Sequence, residues 1–366
     1  MKLAILTGGG DCPGLNAVIR AAAKTAILEH KAEVVGVKDG FEGLIHGRFR
    51  PLAYMDVSGI LAEGGTILGT SNRANPFKYP FTSAAGEARF EDVSDRCVEN
   101  FRKCGADVLI VIGGDGTMSI AHGLGKKGIP CVGIPKTIDN DLRGTDRTFG
   151  YDTAMRIAAE AIDMLHTTAQ AHHRVMIVEV MGRNAGWIAL GAGVAGGGDV
   201  VLIPEIPYDI QHITSYLLER RSKGKRFSIV VVAEGAKPAG GEVVVSRRVA
   251  DGAEPIRLGG IGAKLCEEIE DATGMESRAV VLGHLQRGGP PTPFDRVLAT
   301  RFGYEAAKAA MGGKEGIMIG LHGTEIGTVP MEEAAGGQRL VEPDCHLMRT
   351  ARAVGTCFGD GILYLP

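Results

Sequence analysis

The sequence lacks the features that identify several classes of protein. Its seven cysteines include no Cys-x-x-Cys pair and their number is odd, which disfavours a disulfide framework or a zinc site and favours reduced thiols. Its 40 basic and 43 acidic residues give a net charge of −3, which provides no overall attraction to nucleic acid or to an anionic membrane. We therefore expect neither of them as a partner.

Long apolar segments are also missing. The Ala/Gly-rich stretch 185–198 is too short to span a bilayer, and the apolar start of the chain is too brief for a signal peptide. On these grounds we expect a cytoplasmic protein. A chain of 366 residues is long for a single core, so two domains are the starting expectation.

What the sequence does contain is an alternation of short apolar runs with longer helical patterns. The runs are Val34–Val37, Val108–Ile112, Val175–Val180, Val200–Ile203, Ser228–Val232 and Ala279–Leu282. Tyr151–Thr168 has helical patterning, because its apolar residues share one stripe. This alternation predicts parallel sheets with helices on both faces. The stretch 237–260, rich in glycine and charge, is interpreted as an insertion or mobile loop.

Three loops that follow predicted strands are rich in glycine, in aspartate or in both. The first, Gly8–Asp11, lies between the strand Lys2–Thr7 and a predicted helix at Leu15–Leu28. A glycine turn between a strand and a helix N-terminus makes an anion site. This loop has neither the Gly-Lys-Ser/Thr ending of a Walker A motif nor the spacing of a dinucleotide fingerprint. Taken alone, such a cluster is as often only a tight turn.

The other two loops favour the phosphate interpretation. Gly113–Thr117 follows the apolar run that ends at Ile112, and Pro135–Asp141 follows the run Cys131–Ile134. Glycines leave backbone N–H groups open to phosphate oxygens, and a neighbouring carboxylate can hold the magnesium that neutralises those oxygens. Two such loops in tandem predict phosphoryl transfer.

With further motifs, these loops resemble the 6-phosphofructokinase family. The motifs are Gly64–Arg73, Gly150–Thr153, Glu179–Gly186, Pro204–Pro207, Ala233–Gly235 and Leu282–Gly289, and the resemblance covers most of the chain. Gly113–Thr117 alone is less specific, because NAD kinases and diacylglycerol kinases carry a similar stretch. A kinase of that kind and a catalytically silent sugar-phosphate sensor are therefore the alternative functions.

The resemblance implies an α/β fold of two Rossmann-like three-layer domains with mostly parallel sheets and an active site in the cleft between them. Residues 1–150 and 291–340 would form the nucleotide- and Mg-binding domain, and residues 151–290 and 341–366 the fructose 6-phosphate-binding domain. The implied reaction is phosphorylation of fructose 6-phosphate at its 1-hydroxyl, a step of glycolysis that gives fructose 1,6-bisphosphate.

The resemblance also assigns roles to residues. Asp139 aligns with the general base that takes the proton of the sugar hydroxyl, Asp141 with a second carboxylate near it, and Asp115 with the ligand of Mg²⁺. The residues that align with the donor-binding set are Gly10, Arg73, Gly114, Asp115, Gly116 and Thr117. Those that align with the substrate-binding set are Thr137, Asp139, Arg174, Met181, Gly182, Arg183, Glu234, Arg278, His284 and Arg287.

Two further implications concern the donor and the assembly. Gly116 is the residue type of ATP-dependent members, whereas Lys136 is the type of pyrophosphate-dependent members, and some ATP-dependent enzymes combine the two. We therefore interpret the chain as an ATP-dependent member of the group that resembles pyrophosphate-dependent enzymes, with pyrophosphate as the alternative donor. Family members take the counterparts of Arg174 and Arg278 from a neighbouring subunit, which implies a homo-oligomer with shared active sites, a tetramer rather than a dimer.

Overall fold

The computed structural model describes residues 1–82, 88–248 and 256–362, in which strands and helices alternate. The strands are β1 (Lys2–Thr7), β2 (Glu33–Val37), β3 (Phe49–Pro51), β4 (Tyr79–Thr82), β5 (Ala88–Glu91), β6 (Val108–Gly113), β7 (Cys131–Thr137), β8 (Phe149–Gly150), β9 (Val175–Val180), β10 (Val200–Leu202), β11 (Ser228–Ala233), β12 (Val245–Arg248), β13 (Ile256–Leu258), β14 (Ser277–Val281), β15 (Ile317–His322) and β16 (Glu325–Pro330). The helices are α1 (Leu15–His30), α2 (Phe41–Ile45), α3 (Ser94–Cys104), α4 (Asp115–Lys126), α5 (Tyr151–His172), α6 (Trp187–Ala195), α7 (Ile210–Ser222), α8 (Ile261–Thr273), α9 (Pro293–Met311), α10 (Met331–Ala335) and α11 (His346–Ala353). Short 3₁₀ turns occur at Ile60–Ala62 and Gly283–Arg287.

Two sheets form the framework. The first has the strand order β16-β15-β7-β6-β1-β2-β3, with the short β8 paired to β7. Its central pairs are parallel, and the edge strands β3 and β16 run antiparallel to their neighbours. The second sheet, β10-β11-β9-β14, has only parallel pairs. The strands of the second sheet lie between residues 175 and 281, and the first sheet uses the chain before and after them.

Helices cover both faces of each sheet. Successive side chains of a strand point in opposite directions, so one strand packs against helices on both sides. Leu3 of β1 packs in a cluster with α1 and α9, while Ala4 packs in a cluster with α2, α3 and α4. In β9, Val178 packs with α5 and α6, and Ile177 packs with α7 and α8. The predicted α/β fold with two three-layer units and mostly parallel sheets is confirmed.

Most individual elements agree with the sequence patterns. The helix predicted at Leu15–Leu28 is α1, and the helix predicted at Tyr151–Thr168 lies within the longer α5. The stretch 237–260 differs from a simple loop, because it contains the antiparallel pair of β12 and β13. Residues 249–255 of that insertion, between the two strands, lie outside the described residues. Within the described ranges, no helix combines the length and the apolar character that crossing a bilayer requires.

Candidate active site

The carboxyl ends of the parallel strands of both sheets border one cleft. It has a volume of about 680 Å³ and is lined by loops that follow β1, β6, β7, β9 and β11. Ligands of open parallel sheets bind at this end of the strands. Most of the predicted site residues line it, namely Gly10, Gly114, Asp115, Gly116, Thr117, Lys136, Thr137, Asp139, Asp141, Met181, Arg183, Glu234, His284 and Arg287.

A helix N-terminus lines one part of this cleft. Asp115 is the first residue of α4, and Gly114 precedes it with an extended backbone. Unpaired N–H groups and the helix dipole make such an N-terminus attractive to anions. The sequence predicted the strand and the glycines of this part, whereas it gave Gly113–Thr117 as a loop, and the structure begins a helix within it at Asp115.

The first two glycine loops pack against each other through Thr117. A Cβ atom on Gly8 would lie 2.8 Å from Cγ2 of Thr117, and one on Gly113 would lie 2.4 Å from Cβ of Thr117. Both approaches are closer than real Cβ contacts, so glycine is required at each position for the loops to meet. The backbone segments that follow β1 and β6 are thereby brought to one place.

Two cationic side chains fasten the first glycine loop. Lys136, at the end of β7, is 3% exposed, and its Nζ donates a hydrogen bond to the carbonyl oxygen of Gly10. Arg287, in the 3₁₀ turn after β14, donates from Nη1 to the carbonyl oxygen of Asp11 at 3.1 Å. Burial lowers the pKa of the Lys136 ammonium. The loop is thus tied to both sheets.

The loop after β7 holds Asp139 in a defined backbone geometry. Asn140 has a φ of 52°, a left-handed value that asparagine adopts more readily than most residues. Oδ1 of Asn140 accepts a hydrogen bond from the backbone N–H of Thr148 at 3.0 Å. The backbone N–H of Asp139 donates to Oγ1 of Thr137 at 3.1 Å. These bonds stabilise the turn that presents Asp139 to the cleft.

Three carboxylates converge beside this turn. Burial raises the pKa of Asp141 to about 7, and the negative charges of Asp139 and Asp115 add to the effect. Nε2 of Gln338 donates a hydrogen bond to Oδ2 of Asp141 at 3.1 Å. The concentration of negative charge is the kind of environment that a hard divalent cation neutralises.

Magnesium fits these residues when phosphates complete its coordination. Among the residues that the structure describes, no three His, Cys, Asp or Glu side chains are grouped closely enough to hold a metal by themselves. Mg²⁺ in phosphoryl-transfer sites keeps several waters and takes one or two carboxylates together with substrate phosphates. Asp115 lies where the phosphates are expected, at the N-terminus of α4, so it is the candidate ligand.

The second sheet supplies the opposite wall. Met181 and Arg183 follow β9, and Glu234 follows β11. The backbone N–H of Met181 donates to Oε1 of the fully buried Gln286 at 2.8 Å, which connects the loop after β9 to the turn that carries His284. Burial raises the pKa of Glu234. This wall offers side chains suited to a sugar phosphate.

Four of the predicted residues do not line the cleft: Arg73, Arg174, Gly182 and Arg278. Gly182 lies between two lining residues, and the exposed Arg73 is adjacent to Asn72 and Ala74, which do line the cleft.

Arg174 and Arg278 lie away from the cleft of their own chain, and their expected role was in the site of a neighbouring subunit. They lie at the amino ends of β9 and β14, and the six residues of β9 span about 20 Å between Arg174 and the cleft. Both pair with Glu276, at 2.8 Å from Arg174 Nη2 and 2.5 Å from Arg278 Nη2. Neither arginine therefore contacts a substrate in the cleft of its own chain.

Several lining residues were missed by the sequence reasoning. They are Phe41, Ser71, Asn72, Ala74, Asn75, Ile120, Asn184, Leu258 and Gln338. Ser71, Asn72 and Asn184 belong to motifs that carried the resemblance, so those motifs were the available signal. Phe41 and Gln338 lie outside the motifs that carried the resemblance, and only the folded chain brings them to the cleft.

Comparison with known proteins agrees with this geometry. Residues 2–310 match the family model described as Phosphofructokinase. The chain is 52% identical over 360 residues to the ATP-dependent 6-phosphofructokinase 2 of Clostridium perfringens, and the match covers 98% of each chain. It is 50% identical over 344 residues to the pyrophosphate–fructose 6-phosphate 1-phosphotransferase of Amycolatopsis methanolica, covering 94% of this chain and 97% of that relative.

Solved structures show the same likeness. The phosphofructokinase structure from Saccharomyces cerevisiae superposes with a TM-score of 0.76 at 32% identity, over 92% of this chain and 45% of that one. Together with the geometry of the cleft, these matches show that the chain belongs to the phosphofructokinase family.

Proposed function

We propose that the protein transfers the γ-phosphoryl group of ATP to the 1-hydroxyl of fructose 6-phosphate, giving fructose 1,6-bisphosphate and ADP in glycolysis. The observation that carries this proposal is the meeting, in one cleft, of the helix N-terminus at Asp115, the carboxylate of Asp139 and the substrate wall of the second sheet. The similarity to ATP-dependent 6-phosphofructokinases along nearly the whole chain supports it.

In this proposal Asp139 is the general base. It accepts the proton of the sugar hydroxyl as the bond between O1 and the γ-phosphorus forms. The bond between the γ-phosphorus and the bridging oxygen breaks, and ADP leaves with that electron pair. Arg183 provides positive charge from the second sheet for the group in transfer. Magnesium, held by Asp115, neutralises phosphate charge when it is bound.

Binding roles are proposed for the remaining residues. The donor phosphates bind at Gly10, Gly114, Gly116 and Thr117, with Arg73 on an adjoining loop. The sugar binds along Thr137, Met181, Gly182 and Glu234, and its 6-phosphate at His284 and Arg287 of this chain together with Arg174 and Arg278 of a neighbouring subunit.

We propose ATP rather than pyrophosphate as the donor for two reasons. Phe41, Ala74 and Ile120 give the cleft an apolar wall that suits a nucleotide base, which pyrophosphate does not have. Apart from the adjacent residues and the backbone of its own helix, nothing that the structure describes lies within 4 Å of the position where Gly116 would carry a Cβ, so the space beside it is open to a nucleotide α-phosphate. Pyrophosphate is the second candidate donor, because Lys136 is present and a relative of 50% identity is named for that activity.

Shared active sites are proposed because Arg174 and Arg278 lie far from the cleft of their own chain. Four apolar side chains of β14, the turn after it and α9 are also exposed, with exposures of 57% for Val281, 69% for Leu285, 46% for Phe294 and 60% for Val297. Exposed apolar groups of this kind mark interfaces between proteins. We propose a homotetramer rather than a dimer, in the cytoplasm.

The domain assignment is also a proposal. Residues 1–150 with 291–340, and 151–290 with 341–366, are taken as the nucleotide-binding and sugar-binding domains. The strands of the two sheets divide along the chain in agreement with this assignment.

One coupled assay tests the proposed function. Fructose 6-phosphate is supplied with Mg²⁺ and either ATP or pyrophosphate, and formation of fructose 1,6-bisphosphate is followed. We expect turnover with ATP well above that with pyrophosphate. NAD and diacylglycerol serve as alternative acceptors, and activity with either of them in place of the sugar phosphate would contradict the proposal.

A further inference from the structure

The segment Gly336–Val341, called the strap below, crosses the edge of the cleft and contacts the loop that carries the proposed base. Gln338 donates from Nε2 to Oδ2 of Asp141 at 3.1 Å, and the backbone N–H of Arg339 donates to the carbonyl oxygen of Asp141 at 2.7 Å. Gln338 also forms an antiparallel bridge with Leu142. The strap therefore donates hydrogen bonds to both the side chain and the backbone of Asp141.

The same loop reaches back to the strap. Nε of Arg143 donates to the carbonyl oxygen of Gln338 at 3.2 Å. Nη2 of Arg339 donates to the carbonyl oxygens of Asn140 and Asp146 at 3.1 Å and 3.0 Å. Because these bonds run in both directions, the position of Gln338 and the position of the loop are mutually determined.

The other side of the strap is anchored beside the substrate wall. Nε1 of Trp187 donates to the carbonyl oxygen of Arg339 at 2.9 Å, and the Arg339 guanidinium lies 4.5 Å from the centre of the Trp187 ring. The backbone N–H of Val341 donates to Oε1 of Glu205 at 2.8 Å, and Glu205 also accepts from the N–H of Gly186. Gly186 and Trp187 lie at the end of the loop after β9, which forms part of the opposite wall of the cleft. The strap therefore connects that loop to the loop that carries Asp139.

We propose that Gln338 is a positioning residue for phosphoryl transfer. Its amide donates a hydrogen bond that holds the Asp141 carboxylate in place beside Asp139. The hydrogen bonds of the strap fix the position of Gln338 itself. The amide is neutral and adds no further negative charge to the cluster of Asp115, Asp139 and Asp141. This inference rests on the proposed function and adds to it a residue that no motif in the sequence marks.

The proposed role requires that the side chain at position 338 donate a hydrogen bond to Asp141. Substitutions of similar length distinguish the loss of this donor from a change in packing. Gln338→Met keeps an unbranched side chain of similar size but cannot donate, and Gln338→Glu keeps the shape but presents a carboxylate. Gln338→Lys retains both a donor and sufficient reach. Gln211→Met, at an exposed position of α7, is the matched control.

The experiment measures kcat, the KM values for both substrates and the melting temperature of each full-length variant. We expect Gln338→Met to lower kcat about 10-fold or more, with KM changed by less than about twofold. A misplaced Asp141 carboxylate weakens stabilisation of the transition state more than it weakens substrate binding. Gln338→Glu should lose at least as much, whereas Gln338→Lys should recover most of the turnover. The control should match the parent.

A packing role would give the opposite order, with Gln338→Met close to the parent and Gln338→Lys the most damaged. That order, or a change confined to KM, would overturn the inference. Activity of the parent with fructose 6-phosphate tests the proposed function, and the order of the variants relative to the parent tests the role of Gln338. A melting temperature far above the assay temperature ensures that losses of kcat are not losses of folded protein.

Discussion

The ammonium group of Lys136 donates a hydrogen bond to the carbonyl oxygen of Gly10. Lys136 is 3% exposed, so the bond forms where water does not compete with it. A residue typical of pyrophosphate-dependent enzymes thus has a partner within the chain, in the first glycine loop. Donor choice is then expected to depend on Gly116, which faces open space.

Gly116→Asp is expected to lower the activity with ATP about 100-fold or more. Two like charges about 4 Å apart repel by about 4 kcal/mol at an effective dielectric constant of about 20. Magnesium and water reduce this repulsion. Pyrophosphate has no α-phosphate to meet the new carboxylate, so its loss should be smaller. The measurement is kcat/KM for both donors in the parent and the variant.

Gly125→Asp is the matched control for that substitution. Gly125 lies in the same helix, and a Cβ there also has no atom within 4 Å. The control should leave the ratio of ATP to pyrophosphate activity unchanged. A parent that prefers pyrophosphate, or an unchanged ratio in Gly116→Asp, would show that Lys136 is the better guide to the donor.

Asp139→Asn is expected to lower kcat about 10²- to 10⁴-fold with little effect on KM, because the amide keeps the shape of the side chain but cannot accept the proton. Steady-state kinetics at saturating ATP and fructose 6-phosphate measure this directly. Near-normal turnover of the Asn variant would rule out Asp139 as the base.

Two inactive chains should complement each other if sites are shared between subunits. Asp139→Asn lacks the base, and Arg174→Ala lacks a clamp that acts in the neighbour's cleft. Mixed oligomers then contain sites with an intact base and an intact clamp, so activity should return after subunit exchange. Mixing Asp139→Asn with itself is the control, and exchange is verified by mass spectrometry of tagged chains. No recovery after verified exchange would argue against shared sites.

A bidentate ion pair in the C-terminal segment predicts the pH dependence of stability. Nη1 of Arg352 lies 3.0 Å from Oδ1 of Asp360, and Nη2 bonds to Oδ2. Burial opposes ionisation of Asp360, but the hydrogen bond and charge of Arg352 outweigh it and lower the pKa of Asp360. A carboxylate with a lowered folded-state pKa stabilises the protein above its unfolded-state pKa, and this is lost as the pH falls through the folded-state value.

The free energy of unfolding should accordingly decrease as the pH is lowered below about 4. Asp360→Asn should reduce that free energy at neutral pH by about 1–3 kcal/mol and make its decrease at low pH shallower. Glu160→Gln removes the exposed pair with Arg156 and should change stability by less than about 1 kcal/mol. Denaturant titrations from pH 3 to pH 7 measure all three proteins. Equal pH profiles for the parent and Asp360→Asn would contradict the assignment.

Local patterns in the sequence were sufficient to predict the parallel α/β fold and the loops that follow its strands into the cleft. The apolar run that ends at Ile112, the glycines after it and the helix that begins at Asp115 are neighbours along the chain. Their geometry depends on strand periodicity, on backbone freedom at glycine and on a helix N-terminus, which all act over a few residues. The roles of Asp115 and Asp139 within these loops remain predictions.

The tertiary structure decided which of these parts meet. Strand β7 lies beside β6, and β6 lies beside β1, so Lys136 reaches the loop that begins more than a hundred residues earlier at Gly8. The same packing carries Gln338 to Asp141 and leaves Arg174 at the far end of β9. Such contacts depend on strand order and on the paths of connections between elements, and no local periodicity in the sequence encodes them.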